Sequence, residues 1–500
     1  MQKHTTALSA LSMGLCAAFG AGGSCLASLP LVAPAAEEAR HGPELDAQLN
    51  KAMATGDWVK VEEILDSEWA KDPDACRDAA HAILRTASMS DRIVAVGVLA
   101  RNAKPADLGA LAFTLRGIRW ADERRILVRA IGARAAYLAS GEPKDSPVAA
   151  AYKQDAYEAI KRFFDDEDME VQAAAFYAIA DLGMGQVAGD FISRISLIPA
   201  IDFKPAPGLQ LVVQMAMNGA VYELSGVRPS TTSEISQWFR QTGGLARTTA
   251  KYEIEGSRNA QPFVRTPSFD VYYHFGSERR APQTGWLAPK EIVEMTSAAT
   301  LAANIAMAPI VGPIHMPVVR LLLCDKTSYG ARTGTPFLAG VTQDNEIIIR
   351  VDSSVTTAKV LTHEYVHMIQ TSMFVDQPRW LFEGLASSVE RSAKMASTRT
   401  PSAPGTDRRT MIDRGVFKEA ILWTASASSD RLEPARYENA TLAIDFLRFG
   451  GFPAANERLN VLMGKLSRGG GQQRALEETY GMTLLELEER LRKWLEQKQP

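Results

Sequence analysis

The stretches THEYVHMIQ, Thr362–Gln370, and DQPRWLFEGLASSVER, Asp376–Arg391, decide how this chain is read. The first sets two of only seven histidines four residues apart, with a glutamate beside the leading one. On a helix that step is one turn plus about 40°, so His363 and His367 project from one face and two imidazole nitrogens can reach one ion. Zinc accepts nitrogen and carboxylate donors in a tetrahedral shell, and a catalytic site leaves one position to water. Glu364 is placed to reach that water without itself binding the ion. The second stretch begins another helix, with Pro378 near its start and Trp380, Leu381 and Leu385 on an apolar face. Glu383 is the only acidic residue in its first turns, and fifteen residues separate it from His367. Two antiparallel helices joined by a short connection bring Glu383 over the histidine pair. His-His-Glu is one of the catalytic zinc shells.

HEYVH followed by PRWLFEGLA resembles the gluzincin (peptidase MA-like) metallopeptidases, whose second helix carries a Trp-x-x-Glu-Gly-x-Ala signature. The resemblance implies zinc held by His363, His367 and Glu383, with Glu364 as general base and a peptide or protein as substrate. The metzincin pattern fits worse, because it calls for Gly and His where this chain has Gln370 and Met373. Many gluzincins carry an acidic residue four positions after the signature glutamate. Here that position is Ser387, and Glu390 is the candidate replacement for supporting a ligand. Family enzymes often steady the oxyanion with a C-terminal Tyr or His; Tyr437, in RYENATLAIDFL, is the catalytic candidate, with a helix-core aromatic as the plainer reading. His274 and His315 have no partner at ligand spacing and read as structural.

Outward from the motifs, the order of elements is α+β. Strand-like SFDVYYHF (Ser268–Phe275) comes first, then a helix (Pro289–Ala306) and the strand VVRLLLCD (Val318–Asp325). The strand EIIIRVD (Glu346–Asp352) and the helix Ser354–Ser372 with the opening motif follow. This zincin-type catalytic domain is expected over 268–391. Residues 392–409, rich in Ser, Thr, Pro and Ala, are read as a flexible loop, either a lid or a surface insertion. Residues 410–498 are read as a helical C-terminal part of the same module, and ALEETYGMTLLELEERLRKWL (Ala475–Leu495) resembles the helical tail of such domains. EIIIRVD is a candidate edge for substrate added as a strand; its three isoleucines suit a buried strand equally well.

Residues 43–245 read as nearly all helix. In Phe163–Ile195 an acidic turn caps a helix with Val171, Ala174, Ala175, Ala178, Ile179 and Leu182 apolar, and a Gly stop follows. Such pairs resemble HEAT-type repeats, which bury their apolar faces only by stacking; a generic helical bundle is the alternative. Either makes this segment a scaffold, with a protein partner on the repeats as one use. The polar, turn-rich residues 246–267 are read as a linker.

Residues 1–35 have a basic start at Lys3, an Ala/Leu/Gly/Ser run and small residues at Ala33 and Ala35. They read as a signal peptide directing the chain to the periplasm or medium; an uncleaved anchor is the alternative. Cys16 and Cys25 would leave with it, and Cys76 and Cys324 fall in different expected domains, so no disulfide framework is implied. With 46% apolar residues and a formal charge of -3, the chain has no basic stripe suited to nucleic acid, and beyond the start no stretch reaches the roughly 20 apolar residues of a spanning helix. Two other function classes stay open: an inactive metallopeptidase-like binding module, and an extracytoplasmic scaffold acting through its repeats.

Overall fold

Aspartates start three of the N-terminal helices. Asp57, Asp72 and Asp168 each accept a hydrogen bond from a backbone N–H in the first turn that follows, satisfying donors that have no partner within the helix. The helix after Asp168 stops at Gly183, where φ is +62°, a left-handed conformation open to glycine at little cost. In the computed structural model the described residues are 43–104, 120–143, 146–190, 211–227, 232–245, 247, 253–258, 261–274, 287–334, 339–343, 346–351, 354–397, 415–423 and 434–497. The expected signal segment 1–35 lies outside them, as do residues 398–409 of the expected loop.

The N-terminal helices are α1 (Pro43–Ala54), α2 (Trp58–Trp69), α3 (Pro73–Thr86), α4 (Met89–Asn102), α5 (Ala121–Ser140), α6 (Pro147–Ile160), α7 (Met169–Leu182), α8 (Leu211–Ser225) and α9 (Thr232–Thr242). Helix α7 packs between α5 and α8 and is buried almost all round, which its run of alanines permits. Then come α10 (Pro289–Val311), α11 (Lys326–Thr333), α12 (Ser354–Met373), α13 (Arg379–Ser397), α14 (Val416–Ile421), α15 (Pro434–Phe449), α16 (Ala455–Ser467), α17 (Gln472–Tyr480) and α18 (Leu484–Gln497). Among the described residues no helix is long and apolar enough to cross a membrane, and Cys76 and Cys324 are buried free thiols.

Six strands form one mixed sheet: β1 (Glu253–Arg258), β2 (Gln261–Arg265), β3 (Phe269–His274), β4 (Val319–Cys324), β5 (Gly340–Gln343) and β6 (Glu346–Arg350). Their order is β1-β2-β3-β4-β6-β5, with β3, β4 and β6 parallel and the other pairs antiparallel. An α+β protein, mostly helical with a small mixed sheet, is what the element order led one to expect.

Three differences from the sequence reading have physical causes. The expected linker contains the β1–β2 hairpin, whose Glu, Arg, Gly and Pro content hides its pairing. EIIIRVD is not an edge: β6 is flanked by β4 and β5, with Ile347, Ile348 and Ile349 fully buried, so the interior alternative holds and the edge is the short strand β5. Helix α13 runs on to Ser397, six residues past Arg391, because Ser-Ala-Lys-Met-Ala-Ser contains no breaker.

Residues His41–Pro500 form one compact unit. Helix α16 packs against α4, α5 and α10, and α12 touches α7 and α8 as well as β5 and β6. The segments on either side of residue 245 therefore share packing.

Candidate metal centre

Helix α12 is buried through Leu361, Tyr365, Val366, Met368 and Ile369, which leaves its histidine face to meet α13. Phe374–Pro378 form the turn between these helices, closed by Phe374 N–H donating to the Gln370 carbonyl (2.9 Å) and Leu381 N–H to that of Pro378 (3.0 Å). The turn brings Glu383 over the histidine pair. His363 Nε2 lies 3.1 Å from His367 Nε2 and 3.2 Å from Glu383 Oε2, and His367 Nε2 lies 3.5 Å from that same oxygen.

The outer atoms of the candidate ligands are held. Nδ1 of His363 lies 3.0 Å from Glu390 Oε2, whose other oxygen pairs with Lys359 at 2.6 Å. Nδ1 of His367 lies 3.1 Å from Gln370 Oε1, and the Gln370 amide donates to Gln377 Oε1 at 3.1 Å. The His367 ring stacks on Phe382, with centroids 4.0 Å apart. A carboxylate and an amide oxygen only accept, so these partners assign the Nδ1–H tautomer to both rings. Each Nε2 then presents a lone pair towards Glu383 Oε2. Three acceptors that meet with no donor between them repel one another unless a metal ion or a proton takes the centre.

The distances carry the same message. Donor atoms about 2.0–2.1 Å from a tetrahedral zinc lie about 3.3 Å from each other, and the observed 3.1–3.5 Å bracket that value. The three side chains could hold one metal ion, and the donor set fits zinc.

Without the ion, protons take up part of the charge. Burial opposes charging of His363, but hydrogen bonds to Glu383 and Glu390 outweigh it and raise its pKa to about 10. Burial likewise opposes ionisation of Glu383, and the two histidines outweigh it, holding the carboxyl well below the usual range. Glu390 is shifted the same way by His363 and Lys359 against its burial.

Glu364, 6% exposed, accepts a hydrogen bond from Thr342 Oγ1 on β5 at 2.8 Å, and its own carbonyl lies 3.1 Å from that hydroxyl. The strand comes this close because residue 340 is glycine: a Cβ there would collide with Val360 and sit 3.0 Å from Glu364 Cγ. Tyr437, half-buried on α15, is hydrogen-bonded to Arg379, which pairs with Glu383 Oε1 at 2.6 Å. Burial, with Glu383 adding to it, pushes the phenol up to about 12. All five expected site residues therefore lie in one cluster. His315 is elsewhere, 2.6 Å from Asp181 and 3.6 Å from Glu223.

Sequence reading overlooked Thr342, Arg379 and the support given by Gln370. Arg379 and Gln370 were within reach, being four residues before Glu383 and three after His367 on the same helical faces. Thr342 carries no local signal. No protein-family model matches this chain, and no curated protein does.

Proposed function

We propose that this chain is a zinc-dependent peptidase of the gluzincin type. One observation carries the reading: His363 Nε2, His367 Nε2 and Glu383 Oε2 converge within 3.5 Å, each ligand braced from behind, with the Glu364 carboxylate on the next residue of the same helix. Zinc held there would supply a Lewis acid that acidifies water and polarises a carbonyl.

The residues divide the remaining work. Glu364, held by Thr342, takes the proton of the attacking water and returns it to the leaving amine as the water oxygen bonds to the peptide carbon and the C–N bond breaks. Tyr437 keeps its proton throughout the neutral range, as a donor to a developing oxyanion must, and Arg379 adds positive charge beside it. The strand β5, outermost among the described residues, packs on α12 next to Glu364, so a peptide added to its outer edge would run past the site with its backbone in register. The signal-like residues 1–35 support export to the periplasm or medium, and the stacked helices α5, α7 and α8 support a HEAT-like array that could seat a protein partner.

The test is Glu364→Gln. The purified variant is expected to retain about one zinc per chain and to lose cleavage of a peptide library that the native chain cuts. Cleavage at the native rate would sink the mechanism, and absence of zinc from native protein prepared with zinc would sink the class.

A further inference from the structure

The sequence ADERR at the start of α5 looks solvent-facing, yet Asp122, Glu123, Arg124 and Arg125 are all buried, and Arg125 is fully so. Its guanidinium bonds to Glu170 on α7, lies 3.1 Å from Asp122, and donates to the Asn460 side chain (2.6 Å) and carbonyl (2.8 Å) on α16. Arg468 approaches the same two acids, at 2.6 Å from Asp122 and 2.9 Å from Glu170. Arg125, Asp122 and Glu170 are buried, and Arg468 reaches them from the solvent-exposed side as the second cation.

The network ends on the turn between the ligand helices. Ser467 Oγ donates to Glu170 Oε1 (2.5 Å) and accepts from the backbone N–H groups of Val375 (2.9 Å) and Asp376 (3.2 Å). Phe374, which opens the turn, lies 4.8 Å under the Arg125 guanidinium. From the other side Gln377 accepts from Gln370, which holds His367 Nδ1. A hydrogen-bonded path therefore runs from α5 and α7 through Ser467 and the turn to a ligand. Glu383 sits on the helix that leaves that turn.

We propose that the Glu170–Ser467 bridge, anchored by Arg125 and Arg468, is a positioning device for the metal centre, through which the N-terminal helices set how His363 and His367 meet Glu383. The inference rests on reading the triad as a metal site. Among the described residues, Ser467 is the sole side chain that holds the Val375 and Asp376 amides besides a long 3.5 Å approach of Glu170 to Val375. Losing it frees the turn while leaving all three ligands and Glu364 in place. Groups hydrogen-bonded to metal ligands are commonly worth about 10–100-fold in metal affinity, and Ser467, acting one step further out through the turn, is placed at the lower end of that range.

The experiment uses the full chain loaded with cobalt(II), whose visible absorption reports ligand geometry independently of activity. Ser467→Ala is expected to weaken cobalt binding about tenfold or more and to change that spectrum, and Ser467→Thr, which keeps the hydroxyl, to restore both. Glu170→Gln, which removes the charge holding Ser467, should act in the same direction. Val61→Ala, a core substitution in α2 far along the chain from the turn, is the control for general loosening. Native affinity and spectrum in Ser467→Ala would overturn the inference, as would an equal loss in Val61→Ala. If the native chain binds neither zinc nor cobalt, the metal reading itself has failed, and the native sample alone shows it.

Discussion

Gly384 follows Glu383, the proposed third ligand, and replacing it by alanine sets two opposite effects against each other. An alanine in a helix interior is favoured over glycine by about 1 kcal/mol, so on propensity alone Gly384→Ala stabilises. The structure reverses the sign. A Cβ at this position would lie 2.7 Å from the Ala440 carbonyl oxygen, 2.9 Å from its carbon and 3.0 Å from Ile444 Cγ1 on α15. Ordinary contact is about 3.4 Å or more, so the helices must part by roughly 0.5–0.7 Å, and the obstacle is backbone that cannot swing aside. Overpacking of this kind costs about 1–3 kcal/mol, and after the propensity gain a net loss of up to about 2 kcal/mol remains. Because Glu383 moves with α13, which packs against α12 as well as α15, its 3.2 and 3.5 Å distances to the histidines change by a similar amount. Zinc affinity should then drop about tenfold, and peptide cleavage by up to about a hundredfold, the scale of misplacing reacting groups by an ångström. Urea unfolding of the zinc-free protein, zinc competition with a chromogenic chelator and peptide cleavage read the three effects separately. A variant more stable than the native chain and with native zinc affinity would refute the argument, since it would mean that α13 and α15 leave room for a methyl group.

Two further substitutions test other parts of the assembly. Thr342→Val keeps the shape of the β5 side chain but removes the hydroxyl that holds Glu364; zinc content should be unchanged and kcat should fall about tenfold, whereas a loss of zinc would show that β5 supports the ligands instead of the base. His315 tests stability against pH. Burial opposes its charge, but its bonds to Asp181 and Glu223 outweigh this and raise its pKa above the ordinary value. The stabilisation from that pair is therefore complete below the unfolded histidine pKa of about 6.5 and disappears as pH rises through the higher folded value. His315→Gln should lower the urea midpoint at pH 6 and have a smaller effect at high pH; an equal loss at both ends would show that the ring contributes packing and not charge.

The parts of the site legible in the sequence are those that sit on one helix or across one short turn. His363 and His367 are one helical step apart, and Glu383 is reached through a turn marked by Pro378. Glu390, two turns beyond Glu383 on the same face, could be named as a replacement for the acid missing at Ser387, and it lies 3.0 Å from His363. What escaped depends on residues distant along the chain. Three isoleucines in a row say that β6 is apolar, but whether it is an edge depends on β5, a four-residue strand too polar and too short to announce itself. Hairpin β1–β2 is made by pairing that its own composition does not favour.

The buried charges of α5 show the same limit most clearly. Arg125 is next to charged neighbours in the sequence and would be costly to bury alone, so a local reading puts it in water. Its partners are Glu170, some 45 positions on, and Asn460, some 335 positions on. Only the closed fold assembles them, and a charge set that requires three helices and a turn to be in place at once has its cost offset only in one arrangement. That arrangement includes the turn from which Glu383 emerges. The two-domain reading, with a helical scaffold beside an independent catalytic domain, follows from composition, which changes at about residue 245. The hydrogen bonds do not follow that change: the proposed ligands lie on one side of it, and the groups that fix the turn between them lie on both.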